Sequence, residues 1–429
     1  MTEDETLGAR VRRLRLDRGL TQKDLAEPRY TRAYLAAVEA GVRAPTDEAL
    51  AHIAAGLDVD ADDLRHGRPP GAAEALARTL AEARVRLSRG ETDAVQEIAQ
   101  AAEREAERYG LPELRCRAVQ LTGEIELHRG RVAEAAAAYD RAASMLPPGR
   151  PALRAAVSAR QAYCLQIDGA TGAAVALLEA ELRTVRAAAE PDPDAQVRLT
   201  TALVYTFLEQ DWRERARRLE REALPLLPHV VNREWVAQFI ATVAQLRREH
   251  DLAETERLLG EALAIYTDLG LTREIGICEW ARGYVLRRVG RAGEAADCFE
   301  RARTVLGDVG AVQDHAGATL ELAEVRRLEG ALDEAERLAR AAADICRQTH
   351  HVECMAEADR LLGRIAAARG APDAERLLRS AADRYAAAGL AAELVTTSRL
   401  LGEQQRATGD LAGAAESFRR GLQAATRLA

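Results

Sequence analysis

Glycine falls on a twenty-residue beat through most of this chain. Gly290, Gly330 and Gly370 stand forty residues apart, Gly270 and Gly310 mark the half-steps, and Gly90, Gly110 and Gly130 carry the beat upstream. Where glycine is missing the beat has a turn-tolerant polar residue, as at Asp211, His250 and His350. The stretches between carry apolar stripes at helical spacing. One helical pair cannot bury such a stripe alone, so pairs must stack into a solenoid. Hairpins are expected to start near Gly71, Leu111, Gly149, Asp192, Val231, Leu271, Ala311, His351 and Ala391. The fold class is therefore all-α, with about nine helical hairpins.

Composition narrows the function. Hydrophobic residues make up 48% of the 429 residues, too many for a disordered chain, and no run of about 18 apolar residues suggests a membrane span. The start, Met1-Thr2-Glu3-Asp4-Glu5, is acidic and has no apolar segment of a secretory signal, so a cytoplasmic location is expected. Six cysteines without a C-x-x-C pair fit a reducing compartment better than a disulfide scaffold. The net charge of −8 argues against non-specific nucleic-acid binding by the whole molecule.

No phosphate-binding glycine motif follows a strand, and no nucleophile has a scaffold to gather a base beside it, so no enzyme and no cofactor is expected. One cluster has metal-ligand chemistry: Cys346, His350, His351 and Cys354. It straddles a turn between repeats with no zinc-site spacing, and is read as incidental helix-end residues. Paired acids such as Glu103 and Glu107 are read as exposed helix faces.

The charge balance reverses near the start of the chain. Between Gly8 and Arg43 nine cationic residues face four acidic ones, which suits a surface that meets phosphate. Five short helices are predicted there. The first carries Leu7, Val11 and Leu14 and ends near Gly19. Thr21, Thr31 and Thr46 are placed to cap the next three, with Leu25, Ala26, Leu35, Val38, Leu50, Ile53 and Leu57 inward, and Ala61–Leu64 closes the bundle. His66-Gly67-Arg68-Pro69-Pro70-Gly71 breaks the pattern. The chain is accordingly divided into 1–66, a linker at 67–71, and a repeat region at 72–429.

The run Gly19-Leu20-Thr21-Gln22, Leu25-Ala26, Glu39-Ala40-Gly41, Pro45, Leu50, Ile53-Ala54 and Leu57 resembles the Cro/C1-type (XRE) helix-turn-helix. That resemblance implies a third helix lying in the major groove of DNA. Arg32 would then reach a guanine edge and Ala33 a thymine methyl, with Ala37 one turn on. Tyr30, Thr31 and Tyr34 fall at the same surface. Gln22 and Lys23 open the second helix, where the family places a glutamine against the DNA backbone, while Arg29 and Arg43 would hold phosphate. Arg15 and Glu39 fall where the family has a structural ion pair.

The repeat region resembles tetratricopeptide (TPR) repeats. Gly123 and Gly130 are followed by Ala135, Tyr139 and Ala142; Gly283 and Gly290 by Ala295, Phe299 and Ala302; and Gly402 and Gly409 by Ala414 and Phe418. In such arrays the small residue lets paired helices approach and the aromatic fills the gap. The unit here is about 40 residues rather than the usual 34. Counting slots from Gly283 puts Trp280, Tyr284 and Arg287 on the concave face, with Tyr163, Tyr205, Asn232, Arg247, Arg327 and Arg364 as further candidates. Arg247, Arg287 and Arg327 recur at repeat spacing and would form a positive column for a carboxylate, although each also sits where a cation complements a helix end.

The domain order resembles the peptide-sensing TPR regulators of bacterial quorum sensing (the RRNPP group). The expectation is a transcriptional regulator that binds double-stranded DNA, dimerises, and senses a peptide or other small ligand. The group often clamps its peptide with asparagines, and the array has only Asn232. The alternative is a TPR scaffold for protein partners whose helix-turn-helix does not read DNA.

Overall fold

The computed structural model describes residues 5–69, 71–210, 212–247, 251–348 and 352–426. Asp211, His250, His350 and His351, named above, lie outside the described residues, as do Pro70 and the first four residues. Among the described residues there are helices and turns but no strand. No described helix is long and apolar enough to cross a membrane.

The first five helices are α1 (Leu7–Asp17), α2 (Gln22–Ala26), α3 (Arg32–Glu39), α4 (Asp47–Gly56) and α5 (Ala61–His66). Their starts are fixed by side chains. Thr6, Thr21, Thr31, Thr46 and Asp60 each accept a hydrogen bond from a first-turn backbone N–H of the helix that follows. At α2 the cap is reciprocal, because Asp24 also accepts from the Thr21 backbone. Val11, Leu25, Leu35, Val38, Leu50, Ile53, Leu57 and Leu64 form a closed core. Arg15 and Glu39 make the expected ion pair across it, at 2.6 Å and almost fully buried.

Among the described residues eighteen α-helices follow, in nine successive pairs. Their first helices are α6 (Ala72–Ser88), α8 (Pro112–His128), α10 (Pro151–Ile167), α12 (Pro193–Glu209), α14 (Arg233–Arg247), α16 (Thr272–Arg288), α18 (Val312–Leu328), α20 (Val352–Ala368) and α22 (Ala391–Thr408). Their partners are α7 (Thr92–Arg108), α9 (Val132–Ser144), α11 (Thr171–Arg186), α13 (Arg213–Ala223), α15 (Leu252–Leu269), α17 (Ala292–Asp308), α19 (Leu332–Gln348), α21 (Ala374–Ala387) and α23 (Leu411–Ala425). Small residues set the approach within a pair. A Cβ on Gly283 would lie 2.7 Å from the Phe299 ring, and one on Gly402 would lie 2.6 Å from Phe418. The α13 helix departs from the pattern: it ends at Ala223 and tightens into a 3-10 turn over Leu224–His229, which contains Pro225 and Pro228.

Two cysteines expected to be unpaired are joined. Cys346 at the end of α19 and Cys354 in α20 form a disulfide, their Cα atoms 5.6 Å apart. The two cysteines are eight residues apart in the chain, a spacing that a search for C-x-x-C pairs passes over. The other four cysteines are buried thiols.

The superhelix also touches itself out of sequence. Arg84 on α6 reaches Glu234 on α14 at 2.7 Å and Glu274 on α16 at 2.8 Å. Beside it the Ser88 hydroxyl accepts from the Thr272 backbone N–H at 3.1 Å. The first hairpin thus docks on the fifth and sixth. Removing one partner of such a pair leaves charge stranded in a poorly hydrated place. Replacing Arg84 by Met is expected to cost about 3–5 kcal/mol of unfolding free energy. Urea denaturation of the full chain checks this, and an unchanged midpoint would mean that the closing contact carries no stability.

Candidate DNA-binding surface and interior cavity

The outer side of α3 is built for contact. Arg32 and Ala33 in its first turn are exposed, as are Thr31 and Arg29 just before it and Arg43 after it. Arg29 and Arg32 have no hydrogen bond or ion pair among the described residues, which leaves both guanidinium groups available. Tyr30 and Tyr34 are half-buried and stack with ring centroids 4.9 Å apart. The Arg43 guanidinium lies over the Tyr34 ring at 4.9 Å. Ala37 is half-buried one turn along α3, and exposed Lys23 stands 3.7 Å from Glu27. Gln22 differs from expectation. Its side-chain amide donates to Glu39 at 2.9 Å, so it braces the Arg15–Glu39 pair. The buried core beneath α3, with Leu35 and Val38 at its centre, supports this face.

Inside the array, mainly the first helices of successive pairs line a partly open cavity of about 770 Å3. Tyr163 of α10, Tyr205 of α12, and Trp280 and Tyr284 of α16 form its walls. The outer edge of the Trp280 ring approaches the next repeat where Gly317 has no side chain; a Cβ there would come within 2.4 Å of the indole. Polar groups are distributed unevenly. Arg160, Arg198 and Arg273 line one region, and Glu321, Glu353 and Glu357 another. Arg160 is neutralised by Glu124 at 2.6 Å and Arg273 by Asp314 at 2.6 Å. Arg198 is not: its hydrogen bond is to the neutral Gln238 amide oxygen, at 3.1 Å. Burial lowers Arg198 to about 10, with Arg160 pushing the same way and Glu124 and Glu234 opposing. It is charged at neutral pH.

Residues 6–67 match the family described as a helix-turn-helix domain. The N-terminal unit is a helix-turn-helix domain of the Cro/C1 (XRE) type. No curated protein matches the chain by sequence. Among solved structures the chain is similar to a Rap protein complexed with competence and sporulation factor, with a TM-score of 0.60 at 14% identity over 83% of this chain and 98% of that one. It is also similar to the Rap conjugation gene regulator of the plasmid pLS20 in complex with the Phr* peptide (TM-score 0.52, 13% identity, 82% and 95% covered). A third is aspartyl phosphate phosphatase F from Bacillus subtilis (TM-score 0.51, 11% identity, 81% and 93% covered). These likenesses establish a TPR-type helical-repeat fold behind the helix-turn-helix domain.

Within the TPR-like array, four of the expected concave-face residues meet at the cavity: Tyr163, Tyr205, Trp280 and Tyr284. The other five do not line it, and the expected positive column is spent on local acids. Arg247 is held by Glu220 and by Glu254 at 3.4 Å. Arg287 lies 2.9 Å from Glu321 and over the Tyr284 ring, and Arg327 pairs at 2.8 Å with Glu324, one turn back on its own helix. Arg364 reaches the same Glu324 at 2.9 Å. Asn232 caps α14, its side-chain oxygen accepting from the Trp235 N–H while its own N–H donates to Asp194. Repeat spacing placed these side chains in columns but gave no account of the acids beside them.

Arg198, Arg160 and Arg273 were missed. A usable signal existed: residues forty apart are neighbours in this array, so Arg198 should meet Gln238, as Arg364 meets Glu324 and Gln166 meets Thr206. Of the cluster weighed for metal binding, Cys346 and Cys354 are consumed by the disulfide, and His350 and His351 lie outside the described residues. No group of three or more candidate ligands is found among the described residues.

Burial pushes Glu321 up to about 7, which Arg287 opposes and Glu357 and Glu324 reinforce. Glu357 is raised by burial in the same sense. A carboxyl whose folded pKa is raised gives stability that is full below its unfolded value and is lost as pH rises through the folded one. The melting temperature is therefore expected to fall from pH 5 to pH 8, and to fall less in E321Q. Parallel melting curves for the two proteins across that range would show that Glu321 does not carry the effect.

Proposed function

We propose that the chain is a sequence-specific DNA-binding transcriptional regulator, with residues 1–66 as reading head, 67–71 as linker and 72–429 as sensing array. The observation that carries this reading is the first turn of α3, where exposed, unengaged Arg32 and Arg29 sit on a preformed core inside a locally basic stretch. Arg32 reads a guanine edge, Ala33 and Ala37 pack near bases, and Tyr30, Thr31 and Tyr34 complete the face. Lys23, Arg29 and Arg43 take phosphate and set register. Gln22 acts through Glu39 and the position of α2.

In the same proposal the array senses a peptide or other small ligand in its interior cavity, within the roughly 300–1,000 Å3 usual for ligand pockets. The Rap structures solved with a factor and a peptide support that reading as fold analogues. The chain acts on DNA in the cytoplasm as a homodimer on a palindromic operator. Exposed Leu411, Phe418 and Leu422 on α23, the last described helix, support pairing through the end of the array. Ligand binding shifts the dimer between arrangements that suit different half-site spacings.

The test is selection of genomic fragments by the purified chain, followed by gel shift on the best fragment. Arg32→Ala is expected to lose about 1–3 kcal/mol of discrimination against mismatched sites with the melting temperature unchanged. Arg29→Ala is expected to weaken all sequences alike and to reduce the log K against log salt slope by about one unit. Retention of full sequence preference by Arg32→Ala would reject this register of α3. No enrichment of any fragment and no salt dependence would favour a protein-binding scaffold.

A further inference from the structure

Among the described residues, Arg198 is the one arginine of the cavity lining without an ion pair. Arg198 is 8% exposed. Its guanidinium has five N–H donors, yet its hydrogen bond is to Gln238. No carboxylate among the described residues forms an ion pair with it. Every other arginine of the cavity lining is matched, Arg160 by Glu124 and Arg273 by Asp314. A lone buried cation is costly unless something supplies the missing negative charge. It is therefore retained at the expense of the empty protein's stability.

We propose that Arg198 anchors a carboxylate-bearing ligand of the array. This rests on the reading of the array as a ligand sensor and names the chemistry that the sensor recognises. The planar guanidinium fork matches a carboxylate with two parallel hydrogen bonds. A monoanion fits better than a phosphate dianion, because Glu124 and Glu234 already act electrostatically on Arg198 and would repel a second negative charge. The aromatic side chains of Tyr163, Tyr205, Trp280 and Tyr284 are in the same cavity and cover the apolar body of the ligand. The carboxylate can belong to a free organic acid or to the C-terminus of a peptide, and both present the same group to Arg198.

Both sources can be tested on the full chain. Thermal shift is measured with indole-3-propionate against its primary amide, and affinity selection with a random pentapeptide pool bearing free C-termini against the same pool amidated. The free acid, the free-carboxyl peptides, or both are expected to bind at least about tenfold more tightly than their amides, the effect of one charge-assisted bidentate contact. Whichever arm responds identifies the source. Arg198→Gln is expected to abolish that preference while raising the melting temperature of the ligand-free protein, since an unpaired buried charge is removed. Arg198→Lys, which keeps the charge but not the fork, is expected to recover part of the binding. Equal binding of acids and amides, unchanged binding by Arg198→Gln, or no binding by either carboxylate class would overturn the proposal. So would a ligand-free Arg198→Gln protein that melts well below wild type, since the arginine would then be structural. Gel shift of the same variants without added ligand reads the DNA-binding proposal separately, so either can fail alone.

Discussion

The array depends on the contact between Arg84 and the two carboxylates of Glu234 and Glu274. Most of a solenoid is held by nearest neighbours, each hairpin burying its stripe on the next. Such a stack is free to extend and twist. Here the first hairpin meets the fifth and sixth, with Val85 packed into the cluster around Ala237 and Phe239. Burial alone would lower the Arg84 pKa, but Glu234 and Glu274 more than compensate and hold it well above its ordinary value. On the inner side of this closed arrangement, α10, α12, α14, α16, α18 and α20 all contribute to one cavity.

The charge economy of the interior follows from this arrangement. Bringing so many first helices together crowds arginines that an open array would leave in water. They are accommodated by acids from neighbouring rungs: Glu124 for Arg160, Asp314 for Arg273, Glu321 for Arg287. The matching is imperfect in two places. Burial raises the pKa of both Glu321 and Glu357, and Arg198 has an amide where a carboxylate would fit. Imperfect matching of this kind is where a folded protein gives up stability for something other than folding.

Local chemistry was legible in the sequence. Thr21, Thr31 and Thr46 announce their helices because a cap bond spans only three residues, and the glycine beat announces the hairpins because a helix end needs a left-handed residue. The Arg15–Glu39 pair came through family resemblance and stands as expected. Reading the concave face required a second step that repeat spacing alone does not give. Arg247 and Arg327 have the right slot, yet each is engaged by an acid close to it, and Asn232 is used at a helix start. The closure at Arg84 had no sequence signal at all, since its partners are 150 and 190 residues away. The disulfide was hidden because its cysteines are eight residues apart on two successive helices, a spacing without a recognised motif.

The join between the helix-turn-helix domain and the array has its own consequence. After α5 ends at the left-handed Gly67, Arg68 donates to the Tyr109 carbonyl at 2.5 Å and to the Gly110 carbonyl at 3.0 Å, at the turn between α7 and α8. Arg10, on α1, donates in turn to the Leu64 carbonyl of α5 at 2.7 Å. Arg68 thereby ties the end of the headpiece to the first hairpins. An untethered reading head could search two half-sites whatever the array did. Under the proposed function, a head held this way would be the tip of a lever whose long arm is the solenoid, and a small change in curvature at the cavity would displace α3 relative to its operator.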